Sequence, residues 1–202
     1  ANGDYHLLAS SQLINAGHPD STDSDGSRAD MGAYPYLNSY LGPTWYITEA
    51  GNDTTATGAS DDPFRSIQAG INFSSDADSV TVAAGTYVEN INFRGRNIKV
   101  VGADTSNTII DGNSNGTVVT FSGTENSSAL LKHFRVQNGY DDADDGVGGI
   151  YCADGANPTL ENLIVSDNST SGDWAGGIQI SPGPIDTLRI LKVFALLIPE
   201  EL

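Results

Sequence analysis

The chain has 202 residues and a formal net charge of -17 at pH 7, from 26 Asp+Glu against 9 Lys+Arg. Phosphate binding depends on Lys and Arg displacing counterions, so this balance argues against nucleic acid and anionic membranes as partners. An acidic polysaccharide would need a bridging cation such as Ca²⁺, and the single cysteine, Cys152, rules out an internal disulfide framework and a Cys-rich zinc site.

In chain order, residues 1–43 are rich in Gly, Pro, Asp and Ser and read as irregular, ending in the tyrosine-bearing run AYPYLNSYLGP. A short apolar strand, WYIT, and a polar loop follow. In PFRSIQAGINF, Phe64, Ile67, Gln68 and Ile71 fall at helical spacing, which predicts a short helix over 63–73 with Pro63 in its first turn and Asp61 or Asp62 as cap. From Val80 on, very short alternating apolar runs are separated by Gly, Asn and Asp, among them VTVAAGTY, IKVVG, TVVTF, ALLKHFRV, GGIYC, TLENLIV and GGIQI. The stretch after Ile180, SPGPIDTLRILKVFALLIPEEL, loses the Gly and Asn corners and turns aliphatic. It is too interrupted by charge to span a membrane, so no membrane insertion is expected.

Strands this short fit either a sandwich or a solenoid, and self-similarity decides between them. Leu131 aligns with Leu160, Phe134 with Leu163 and Val136 with Val165, and GGI at 148–150 recurs at 176–178. A period of roughly 18–30 residues with several small strands predicts an all-β parallel solenoid. One turn of such a stack cannot bury its apolar side alone, but stacked turns share a core. Alternation sends Phe134 and Val136 inward and Arg135 outward, and Cys152 reads as a small buried filler. The helix over 63–73 is placed to cover the open edge of the stack.

The run from Trp45 to about Ile180 resembles right-handed parallel β-helix proteins of the pectin-lyase-like superfamily. The resemblance rests on GND at 51–53, PFRSIQA at 63–69 and VTVAAGTYVENI at 80–91 in that order. LINAGHPDSTDSDGSRADMGAYPY resembles the closing segment of bacterial secreted β-helix proteins of the choice-of-anchor Q type. Together these imply an excerpt of a larger surface protein. Residues 1–43 would be the end of one β-helix, 44–180 the start of the next with its N-terminal capping helix, and 181–202 an atypical tail or cap.

The superfamily resemblance implies extracellular carbohydrate work, but fold alone does not choose the chemistry. A lyase of that kind needs a base and neutralisation of a uronate carboxylate, commonly by Ca²⁺. Arg135 and Lys132 are the candidate bases, but the surface-residue reading comes first, since no acidic cluster stands beside them. Asp23, Asp25 and Asp30 in DSTDSDGSRAD form a candidate calcium loop or an ordinary Asp/Gly turn, because the terminal bidentate acid of such loops is missing. Asp141, Asp142, Asp144 and Asp145 in YDDADDG are a second candidate cation site or a solvated loop. The leading expectation is a non-catalytic module at a bacterial surface or outside the cell, for polysaccharide contact, adhesion or assembly. A Ca²⁺-assisted polysaccharide lyase is the alternative, and head-to-tail self-association a third reading.

Overall fold

A computed structural model describes residues 5–142, 146–153, 155–171 and 176–181, and the backbone of 189–196. Among the described residues the regular structure is mostly strand, with one short helix. The first half contains β1 (Thr44–Ile47), α1 (Ile67–Phe73), β2 (Ser79–Val82), β3 (Gly85–Val88), β4 (Ile91–Asn92), β5 (Lys99–Gly102) and β6 (Thr108–Asp111). The second half contains β7 (Val119–Phe121), β8 (Leu130–Gln137), β9 (Tyr140–Asp141), β10 (Ile150–Cys152), β11 (Thr159–Ser166), β12 (Ser169–Thr170), β13 (Ile178–Ile180) and β14 (Arg189–Leu196).

Strand pairing between these elements is parallel throughout. The large sheet runs β1-β2-β5-β8-β11-β14, with β3 joined to β6 and β6 to β8; a second runs β13-β10-β7-β4; a third pairs β12 with β9. Leu131 lies opposite Leu160, Phe134 opposite Leu163 and Val136 opposite Val165, the pairs the self-similarity of the sequence brings together. Ile150 likewise lies opposite Ile178. The spacing between partners is wider than the expected range. It runs from 20 residues for Val80 and Val100 to 35 for Trp45 and Val80, because a loop and α1 intervene between β1 and β2. Residues 189–196, despite lacking Gly and Asn, pair with β11 from Thr159↔Arg189 to Ser166↔Leu196.

Alternation along each strand sorts the core from the surface. Trp45, Val80, Val100, Leu131 and Leu160 form one inward row, and Tyr87, Ile110, Val136 and Val165 another, all buried. From the second sheet come Ile91, Val119 and Ile150, with Phe93 against Phe121 at a ring separation of 4.2 Å. Each such side chain contributes roughly 1.5–3 kcal/mol by leaving water. β8 and β11 both turn within their length, at His133 (φ 63) and Asn162 (φ 49), partners 29 residues apart. In the preceding layer the same corner is made by residues 103–107, between β5 and β6.

The helix starts later than its spacing predicts. Pro63 and Phe64 are not in its first turn: Phe64 is bonded to β1, donating to the Tyr46 carbonyl (3.0 Å) and accepting from Thr48 (3.0 Å). The cap is Ser66, not Asp61 or Asp62, and its side chain accepts from the Ala69 amide. Asp62 is engaged instead with the Thr57 amide at 2.9 Å. The helix lies over the edge of the second sheet. Gln68 Oε1 accepts from the Asn92 amide (2.7 Å) and its Nε2 donates to the Asn92 carbonyl (3.2 Å), so one side chain stands in for a neighbouring strand beside β4.

Residues 5–43 contain no strand and dock on this end. Asn72, fully buried, donates to the carbonyls of Ala9 (2.9 Å) and Ser11 (2.8 Å). Tyr36 and Tyr40 join Trp45, Phe64 and Phe73 in a cluster of rings with centroids 5.2–6.4 Å apart. Such pairs add about 0.5–1.5 kcal/mol each beyond burial. Among the described residues no helix is long and apolar enough to cross a membrane.

Candidate functional site

The two candidate bases sit on the outward side of the large sheet and do not converge. Lys132 faces Glu161 across β8 and β11 and is held there, Nζ to Oε1 at 2.7 Å. That contact ties the side chain to a carboxylate of the sheet's own surface. Arg135 is half-buried and flanked in register by Ile109 and Ile164, apolar neighbours on both sides. Its Nε is buried without a hydrogen-bond partner. Lys99 stands exposed at the start of β5.

The candidate calcium loop is folded around its carboxylates. Asp23 Oδ2 accepts from the Asp30 amide (2.9 Å), and Asp30 accepts from the amides of Asn15 (2.7 Å) and Tyr36 (2.8 Å). Asp25 accepts from Ser27, through amide and hydroxyl, and from the Asn38 amide. Burial pushes the Asp25 carboxyl up, but these hydrogen bonds outweigh it and hold it below the usual range. Asp30 goes the other way: burial dominates, helped by Asp23 and Asp25, and raises it despite its two amide donors. Among the described residues no group of three or more His, Cys, Asp or Glu is arranged to hold a metal ion. In the second acidic loop Asp141 and Asp142 are described, their carbonyls accepting from Ser171. Asp144 and Asp145 lie outside the described residues.

A hollow of about 380 Å³ lies at the strand corner, lined by Asp104, His133, Asn162 and Ile164. His133 Nε2 and Asn162 Nδ2 meet at 3.2 Å, so the amide and imidazole stack along the corner and satisfy each other.

The larger cleft, about 720 Å³, lies where residues 5–43 meet the strand body. Phe73 and Ser74–Asp76 line it from the end of α1 onward, Trp45 from β1, Tyr40 and Leu41 from the docked segment, Asn15 and Asn38 from its loops. Arg28, in the aspartate loop, and Arg96, after β4, both line it. Arg94 stands close behind, donating to Asn72 Oδ1 (2.8 Å) and the Ile14 carbonyl (3.1 Å). This is a volume suited to a small organic ligand, with rings for apolar contact and amides and guanidiniums for polar contact. The sequence pointed to Lys132 and Arg135; the missed signal was FRGRN, two arginines flanking a glycine in a chain with six arginines in all. Arg94 and Gly95 both take positive φ (58° and 74°), a bend that brings both guanidiniums toward Asn72.

Residues 49–94 match the model of a family described as a protein of unknown function (DUF1565). The match takes in α1 and β2 to β4, covers under a quarter of the chain, and ends at Arg94. No curated protein and no solved structure matches the chain.

Proposed function

We propose that the chain is part of a right-handed parallel β-helix of the pectin-lyase-like kind that binds polysaccharide outside the cell without cleaving it. Support for the winding comes from parallel partners spaced a few tens of residues apart in two sheets, with stacked corners such as His133 and Asn162 between them. The acidic surface and the lone buried thiol suit an extracellular setting.

One observation carries the binding reading. The large cleft brings Tyr40, Trp45 and Phe73 together with Asn15, Asn38, Asp25 and Asp76 in a volume of about 720 Å³. Rings beside amides and carboxylates match a sugar, which offers an apolar ring face and a rim of hydroxyls. On the outward face of the large sheet, Lys132 is already bound to Glu161.

The test is affinity electrophoresis through gels containing neutral and acidic polysaccharides, alongside incubation with uronic-acid polymers and Ca²⁺ while following the ultraviolet absorbance of unsaturated uronate. Retardation by at least one polysaccharide with no rise in absorbance is expected. A steady rise, lost on Arg135→Ala or Lys132→Ala, would replace the binding module with a lyase.

A further inference from the structure

Three of the chain's six arginines, Arg28, Arg94 and Arg96, gather around one cleft of a molecule with a net charge of -17. Nothing in the average composition places them there. They are close enough to disturb one another. Burial lowers Arg96, to about 10, with Arg94 and Arg28 pushing the same way and Asp76 opposing. Burial also lowers Arg94, again with Arg28 adding to it. Like charges brought together in a partly desolvated place are unfavourable unless something of opposite sign joins them.

The carboxylates nearby do not fill that role. Asp25 accepts from Ser27 and Asn38, and Asp76 accepts from the Asn97 amide at 2.8 Å. Among the described residues neither forms an ion pair with Arg28 or Arg96. The arginines are also under-used as donors. Arg28 donates through Nε and Nη2 to one acceptor, the Gly17 carbonyl. Arg96 reaches the Asn72 carbonyl through Nη2 at a long 3.3 Å, and its Nη1 is buried with no partner. A guanidinium has five donors, and a buried one left unpaired costs about 1–3 kcal/mol. Arg94 spends its Nη1 on two protein acceptors, Asn72 Oδ1 and the Ile14 carbonyl.

We infer that this cleft is an oxyanion-binding site in which Arg96 and Arg28 bind a carboxylate, sulfate or phosphate group of a ligand whose body lies along Tyr40 and Phe73. Arg94 is a positioning residue: it holds Asn72, and through it the docked segment, and adds field without touching the ligand. The inference rests on the cleft being the binding site proposed above, and it narrows the ligand to one bearing a negative group despite the protein's acidity. A planar fork binds such a group through paired N–H···O bonds, so no bridging cation is needed there.

The experiment is a titration of the full chain with sodium sulfate, phosphate and acetate against chloride at matched ionic strength, read by backbone and arginine Nε NMR shifts. Saturable shifts at Arg28 and Arg96 are expected with at least one oxyanion, and which one responds tells sulfate, phosphate and carboxylate ligands apart. Arg96→Gln weakens binding about tenfold or more, Arg28→Gln less, and Arg96→Lys retains part of it. Arg65→Gln, outside the cleft, leaves it unchanged. Because Arg28 is exposed, its variant folds even where Arg96→Gln does not. Shifts no different from those with chloride, or affinity unchanged in Arg28→Gln and in whichever Arg96 variant folds, overturn the inference. Oxyanion binding without retardation by any polysaccharide would keep this site and sink the polysaccharide reading. Polysaccharide retardation indifferent to Arg28→Gln and to the folded Arg96 variants would do the reverse.

Discussion

Arg94 donates to Oδ1 of Asn72 at 2.8 Å, while Asn72 Nδ2 donates onward to the carbonyls of Ala9 and Ser11. The last turn of the helix, the bend after β4 and the docked segment are thus joined at one buried amide. Asn72→Ala leaves several of these groups without partners, so a loss of roughly 3 kcal/mol is expected in urea unfolding. Residues 5–31 should also become readily cleaved by protease in the variant. Unchanged proteolysis would mean that other contacts, such as the Ala9 amide on the Asp53 carbonyl, hold the segment without it.

Glu89 caps the helix from outside it, accepting from the amides of Ile67 (2.8 Å) and Gln68 (3.0 Å). Burial raises its carboxyl from the ordinary 4.5 to about 7, outweighing those two donors. The folded protein therefore holds a proton there that the unfolded chain has released, and stability from this group falls as pH rises from 4.5 toward 7. Glu89→Gln loses one acceptor and is destabilised throughout. Its deficit relative to the parent should narrow across that window, as pH-dependent urea midpoints will report; a deficit that widens would contradict the assignment.

Lys132 and Glu161 lie directly opposite in register, with side chains 27 % and 27 % exposed. A double-mutant cycle with Lys132→Met and Glu161→Gln should give a coupling of about 0.5–1 kcal/mol. Polysaccharide retardation should be unaffected by either change. Loss of retardation in Lys132→Met would move the binding site onto the sheet.

Cys152 is buried opposite Phe121, and burial, with Glu125 adding to it, pushes its thiol up to about 12. The thiolate is the reactive form, so labelling by a thiol reagent should be very slow in the native protein and should track unfolding in urea. Rapid labelling without denaturant would contradict this burial.

The stacking of β8 on β11 was legible because like side chains recur where like environments recur, as Leu131 and Leu160 do. The helix was legible in kind but not in its start, since Pro63 and Phe64 follow helical spacing yet are drawn into bonding with Tyr46 and Thr48. The cleft was not legible. Its polar partners are distant in sequence, Arg94 meeting the carbonyl of Ile14 and Asn72 that of Ala9, and no periodicity records such contacts. The strand at 189–196 was hidden for a different reason: RILKVFAL has neither the corners nor the alternation by which the earlier strands announce themselves.

The central claim is that polysaccharide is bound in the cleft beside Trp45. Trp45 lines that cleft and donates from Nε1 to Asp78 at 3.0 Å, so its emission should respond to occupancy. The direct measurement is tryptophan-selective fluorescence of the Trp174→Phe variant, in which Trp45 is the sole tryptophan, titrated with a polysaccharide that retards the protein in gels. A saturable change in emission, weakened in Tyr40→Ala, is predicted. Undiminished retardation with Trp45 emission unmoved would place the binding elsewhere and contradict the account.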